Sequence, residues 1–188
     1  MKFVVKFVLI AAILSLARYD VLAAEQHVIV VVGAEGTPEY GQMFNQWADQ
    51  WEAAATAGGA AFEIIGRGDS NDSLQQLQQK VAAAIQTPSS EPFWLILIGH
   101  GTFDGRTPRF NLRGPDLSAE TAAEMLAVAQ RPVVVINCSS CSAPFINALS
   151  APNRIVMTGT KDGNEIQFTR FGGFLAEAIG KLDADIDR

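Results

Sequence analysis

The sequence predicts an α/β domain, a three-layer α/β/α sandwich with a mostly parallel sheet, and two observations carry that reading. Five short apolar runs (27–33, 61–65, 93–98, 132–136 and 154–158) alternate with longer stretches of helical spacing, and strands separated by helices in this order build a parallel sheet covered on both faces. The composition agrees: of 188 residues, 48% are hydrophobic and 18% charged, which suits one domain with a buried sheet rather than a disordered or fibrous chain.

Each element has its own justification. Residues 27–33 form a β-branched run closed by Gly33, the pattern of a strand buried on both faces. Phe44, Trp47, Trp51 and Ala54 fall at helical spacing over 44–55, and Gly58-Gly59 turns the chain into the strand 61–65. Asp69 or Ser70 is expected to cap the next helix, which aligns Leu74, Leu77, Val81 and Ile85 on one face. The third strand, 93–98, stops at Gly99-His100-Gly101, and 102–115 reads as a looped or hairpin section. Ser118, followed by Glu120 and Thr121, opens a helix to about Gln130. The strand 132–136 stops at Asn137-Cys138, with a short helix or turn over 139–149. The strand 154–158 and a helix over 168–179 complete the domain, read as 25–180.

The first residues read as an export signal. Lys2 and Lys6 precede an apolar run, 7–17, and small residues offer cleavage after Ala23 or Ala24. Arg18 and Asp20 interrupt the run, leaving it short of the roughly 20 apolar residues of a spanning helix. The expectation is a signal over 1–24 and a periplasmic or secreted product with no stable membrane span. Three cations and one anion leave with the signal, taking the net charge from −6 to −8. No basic stripe accompanies that charge, so a nucleic-acid partner is not expected. Residues 181–188 form an acidic tail, or the start of a longer segment. Asp183, Asp185 and Asp187 occupy every second position, without the glycine and distal acid of a calcium loop.

The two cysteines and two histidines leave few reactive candidates. His100 directly follows one apolar run and Cys138 follows the next, and open parallel sheets bind ligands outside the carboxyl ends of their strands. An imidazole beside a thiol lowers the thiol's pKa and can protonate a leaving amine. A helix N-terminus after Cys138 would favour the thiolate. The backbone N–H groups of Gly101 and Cys138 are candidate oxyanion donors. His27 opens a strand and reads as ordinary surface.

These blocks resemble a known superfamily. Leu95-Ile96-Leu97-Ile98-Gly99-His100-Gly101 is similar to the hydrophobic block ending in His-Gly of caspase-like peptidases, and Val133-Val134-Val135-Ile136-Asn137-Cys138-Ser139-Ser140 to their cysteine block. Among members the chain most resembles the legumain (asparaginyl endopeptidase) family, which includes the catalytic subunit of GPI transamidase. Three further stretches carry that likeness: Val30 to Gly36 and Tyr40, Phe110 to Leu117, and Val156 to Glu165. The resemblance covers about Val28 to Ala178. It implies a cysteine endopeptidase that hydrolyses or transfers peptide bonds through a thioester on Cys138. His100 would serve as acid–base partner and Gly101 as oxyanion donor, with peptide or protein substrates and no metal or organic cofactor.

Two departures bear on specificity and turnover. The family's Gly two residues after the one following its cysteine is Cys141 here. Glu39 and Gly41 flank Tyr40 where Asn-specific members carry Asn and Arg, which argues against strict cleavage after Asn. Glu39, Asp104, Asp162 and Glu165 fall on loops expected near the strand tips, where acids suit a basic substrate side chain. Other classes stay open. Cys138-Ser139-Ser140-Cys141 is also a CxxC, which suits a thiol–disulfide oxidoreductase or a disulfide that holds the peptidase inactive, with Cys141 as redox partner. A catalytically inactive binding module on the same scaffold is the third class. Cys138, Cys141 and His100 would supply zinc with only three ligands, one short of a structural site. Oligomeric state is not legible.

Overall fold

The computed structural model describes residues 26–181. The expected signal over 1–24, and all of the acidic tail except Lys181, lie outside the described residues. Five parallel strands form the central sheet in the order β2-β1-β3-β7-β8. They are β1 (His27–Val32), β2 (Ala61–Ile65), β3 (Phe93–Ile98), β7 (Val133–Asn137) and β8 (Arg154–Thr158). Between β3 and β7 lies a small antiparallel sheet of β4 (Gly101–Phe103), β5 (Pro108–Phe110) and β6 (Leu117–Ser118).

Strand alternation divides the interior into two cores. On one face Val28, Val30, Ile96, Ile98, Val134 and Ile136 pack beneath α1 (Pro38–Ala57) and α5 (Phe171–Ile179). On the other face Ile29, Val31, Leu95, Leu97 and Val135 meet α2 (Ser73–Ile85), α3 (Ala119–Leu126) and α4 (Phe145–Leu149). The sheet is therefore covered on both sides, which is why its strands read as continuous apolar runs.

Several boundaries differ from the sequence expectation. Helix α1 starts at Pro38 rather than Phe44, because Pro at N1 follows an extended Thr37 (φ −130°, ψ 156°). The α2 cap is Asp72, not Asp69 or Ser70; Ser70 Oγ and Gln76 Nε2 both donate to the Asp72 carboxylate. Ser118 caps α3 as expected, accepting from Thr121 N at 3.1 Å. That helix ends at Leu126 rather than Gln130, in tight turns where Ala127 N donates to Glu124 O and Ala129 N to Leu126 O. Residues 168–170 precede α5 instead of belonging to it. Among the described residues no helix is long and apolar enough to cross a membrane.

At the amino ends of the strands two guanidiniums close the fold. Arg154 donates to Leu149 O and Leu126 O, at the ends of α4 and α3, and Arg131 donates to Ala84 O, Glu91 O and Pro92 O. The bonds to Leu149 O, Leu126 O and Ala84 O satisfy carbonyls that helix ends leave without intrahelical partners. A cavity of about 690 Å³ beside them lies at the opposite end from His100 and Cys138.

Candidate active site

His100 and Cys138 come to the same end and the same side of the sheet. Strands β3 and β7 are direct neighbours, with Leu97 opposite Asn137. Continuing the alternation past Ile98 and Ile136 puts both side chains on the α1/α5 side. The contacts agree: the His100 ring meets Tyr40 at 4.7 Å and Phe44 at 5.2 Å, both on α1. A Cβ added to Gly172 of α5 would fall 2.9 Å from Cys138 Cβ and 2.9 Å from Trp47 Cε3. Only glycine lets α5 start this close to the β7 tip.

The imidazole is held by the β1–α1 loop. Glu35 O lies 3.2 Å from His100 Nε2, and because a carbonyl only accepts, Nε2 carries the proton and Nδ1 is the basic nitrogen of the neutral ring. The same carbonyl accepts from Thr37 N at 2.8 Å, closing a three-residue turn on Gly36 at φ +69°. A turn of this kind is rare and strained, and it needs glycine at its centre. Three aromatic rings surround the imidazole, with Phe168 at 6.3 Å joining Tyr40 and Phe44. Phe168 in turn stacks on Trp47 at 5.6 Å with 19° between planes.

The thiol is placed differently. Cys138 is 1% exposed and belongs to the apolar core beneath α1 and α5, and burial pushes its pKa up to about 12. No hydrogen bond joins it to His100 among the described residues. Helix α4 begins only at Phe145, so the segment after Cys138 does not present a helix N-terminus to it. Neither oxyanion donor is free, because Cys138 N donates to Leu97 O at 2.8 Å in the strand ladder, and Gly101 N to Ser140 Oγ at 3.3 Å.

Sequence reasoning missed the hydroxyls that weld the two tips. Ser140 Oγ also donates back to Gly101 O at 3.2 Å. Ser139 N and Oγ both donate to Asn137 Oδ1, at 3.0 and 2.7 Å, with Asn137 and Ser139 wholly buried. The signal was present as a hydroxyl-rich run directly after β7, read only as the start of a helix or turn. The aromatic ring set and the Glu35 carbonyl carried no comparable signal.

Cys141 is 2% exposed and faces the loop after β8, where its N–H donates to Glu165 O at 3.0 Å and its Sγ lies 3.7 Å from the same oxygen. Burial, then the nearby Asp162 charge, raises its pKa. Both thiols are free, one in the core beneath α5 and the other against this loop. Its backbone has φ +53°, the left-handed region favoured by glycine.

The four loop acids separate into two groups. Asp162 and Glu165 lie together beside Cys141, and Glu165 lines a cavity of about 470 Å³ with Gly159, Thr160, Ile166 and Phe168. Asp162 Oδ1 accepts from Asn164 N, and Glu165 Oε2 from Lys161 N. Glu39 is exposed in the first turn of α1, its pKa lowered by a Thr37 side-chain hydrogen bond. Asp104 closes the β4–β5 hairpin, accepting from Thr107 N, Arg109 Nη1 and Arg106 N, which hold its carboxyl well below the usual range. Neither Glu39 nor Asp104 lines the Glu165 cavity. Among the described residues no group of three or more His, Cys, Asp and Glu side chains could hold a metal ion.

No protein-family model and no curated protein matches the sequence. Among solved structures the chain is similar to the Drosophila initiator caspase Dronc. The TM-score is 0.57 at 9% identity, covering 87% of this chain and 68% of the caspase. The fold is thus caspase-like: a mostly parallel five-stranded sheet flanked by helices.

Proposed function

We propose that this domain is a latent cysteine peptidase of the legumain type, with Cys138 as nucleophile and His100 as acid–base partner. One observation carries the reading. His100 shares its sheet end and side with Cys138, and the Glu35 carbonyl leaves its Nδ1 basic. Strained turns persist where surrounding structure and function require them, and the Gly36 turn that presents this carbonyl is one.

In the sealed arrangement the thiol cannot act, so the first turn of α5 must lift from the β7 tip. Cys138 Sγ then passes its proton to His100 Nδ1 and attacks the scissile carbonyl. His100 returns the proton to the leaving amine, the acyl group stays on sulfur, and water or a second amine releases it. Gly101 N–H becomes an oxyanion donor once it parts from Ser140 Oγ. Glu165 in the wall of the 470 Å³ cavity, with Asp162 near it beside Cys141, supports a basic substrate side chain there. The leader-like residues 1–24 support action in the periplasm or outside the cell.

A second reading has its own support: the buried thiol and the two engaged N–H groups favour a caspase-fold binding module without turnover. The test is cleavage of a mixed peptide library by protein expressed from the full sequence, with and without reductant, beside Cys138→Ala and Cys141→Ala. Cleavage lost only in Cys138→Ala supports the peptidase. No cleavage by the reduced protein, even with Gly172→Ala crowding α5 away from Cys138, sinks it in favour of the binding module.

A further inference from the structure

We infer that Arg113 is a positioning residue for His100, acting through Glu35. This rests on the reading that His100 does acid–base work. The connection is a closed ring of contacts between the β1–α1 loop, the tip of β3 and the segment after β5. His100 O accepts from Asn111 N at 3.0 Å, Asn111 O from Ala34 N at 2.9 Å, and Glu35 O from His100 Nε2 at 3.2 Å. Within that ring the Glu35 peptide is held on its other side only by the tight Gly36 turn, where Thr37 N donates to Glu35 O at 2.8 Å. Arg113 adds a side-chain tie: its Nη2 lies 3.0 Å from Glu35 Oε2, and its Nη1 donates to Gly66 O in the β2–α2 loop.

The Glu35 carboxylate also lies against α1, where a Cβ on Gly41 would fall 2.3 Å from Oε2. It is thus clamped between a guanidinium and a helix surface, and its own carbonyl faces the imidazole. Because the partner of one ring nitrogen decides which nitrogen carries the proton, holding this carbonyl still holds the tautomer. A planar fork that reaches a carboxylate and a carbonyl together suits arginine and not lysine. Arg113 touches neither ring nor substrate, so its effect is on the orientation and tautomer of His100.

The ring nitrogens report this directly, without any need for turnover. Histidine-selective 15N labelling gives two rings, and His27→Asn assigns them. In the wild-type protein, above the pH where the ring is protonated, His100 should show a protonated Nε2 and a bare Nδ1. Arg113→Met and Glu35→Gln, which both keep the Glu35 carbonyl, should each move the His100 pair toward the averaged signals of a free imidazole. The His27 pair should stay in place, and Arg113→Lys should fall between. Unchanged His100 nitrogens in Glu35→Gln overturn the proposal, and that variant decides the matter if Arg113→Met does not fold. If the wild type cleaves peptides, kcat should fall at least about 10-fold in Arg113→Met with KM held, as for a misplaced acid–base group. A tautomer shift in a protein that cleaves nothing keeps the positioning role and removes the peptidase. Cleavage with an unmoved tautomer does the reverse.

Discussion

Strands β3 and β7 are neighbours, and each ends in a reactive side chain on the same side of the sheet, yet the two tips are finished in opposite ways. After β3 the ring of His100 stays half-buried, edged by aromatics and tied by one nitrogen to a carbonyl. After β7 the thiol of Cys138 lies in the core under Gly172 and Trp47. What differs is the chain that crosses each tip. A strained three-residue turn brings the start of α1 beside His100 and leaves the ring an open side, whereas α5 begins directly over Cys138. Position at a strand end therefore brings a residue to this edge of the sheet, and the packing of a distant helix decides whether solvent can reach it.

The largest expected effect follows from how firmly the thiol is held. An ordinary cysteine in the unfolded chain ionises near 9, and Cys138 in the fold near 12. Between those values the unfolded state binds fewer protons than the native one. Stability is thus fully present below about pH 9 and is lost as pH rises toward 12. The whole window is worth about 4 kcal/mol, of which about 2 kcal/mol should be gone by about pH 10.5. Urea unfolding across this range, as the difference between the wild type and Cys138→Ala, isolates the effect from other groups that ionise there. An equal slope in both proteins would mean the thiol is not buried, and the contrast between the tips would collapse.

A smaller effect sharpens the same contrast by attacking its cause. In Gly172→Ala the new methyl has carbon neighbours at 2.9 Å on both Cys138 and Trp47, and overpacking of this kind costs about 1–3 kcal/mol. The cheapest relief is for α5 to lift, which uncovers the sulfur. Maleimide labelling of Cys138 in the folded protein should then speed up about 10-fold or more, the change that about 1.4 kcal/mol of easier opening produces. Destabilisation without faster labelling would show that the strain is relieved elsewhere.

The sheet was legible because burial on both faces writes itself as apolar runs; β2, β3 and β8 match their expected runs throughout, and β1 and β7 fall within one residue of theirs. Helix ends were less so. Pro38 starts α1 six residues before Phe44, the first residue of the expected spacing, and Asp72 competes for the cap with two equally good residues upstream. At the site, the sequence placed His100 and Cys138 at adjacent tips, which needs only strand order. It did not reveal that Cys138 continues the inward alternation of Val134 and Ile136, nor that glycine at 172 allows a helix to close over it. Both depend on which element packs from far along the chain. Asp104 shows the limit from the other side: the sequence marks a loop or hairpin over 102–115, but not that the Asp104 carboxylate is consumed by its local turn.

The smallest effect concerns Cys141, in the turn that carries the chain off the β7 tip. Its φ of +53° places a β-carbon in the left-handed region, at a cost of about 1–2 kcal/mol for a residue other than glycine. That conformation is one that glycine adopts without the penalty. At an ordinary backbone position Gly is less stable than Ala, because it gives the unfolded chain more freedom. Here the order should reverse. Cys141→Ala loses the sulfur and keeps the strain, while Cys141→Gly loses the sulfur and the strain together; both keep the backbone hydrogen bond to Glu165 O at 3.0 Å. Cys141→Gly should exceed Cys141→Ala by about 1 kcal/mol in urea unfolding, with the alkaline behaviour of Cys138 unchanged in both. If Ala is the more stable, the turn is not strained at this residue, and its backbone places no demand for glycine.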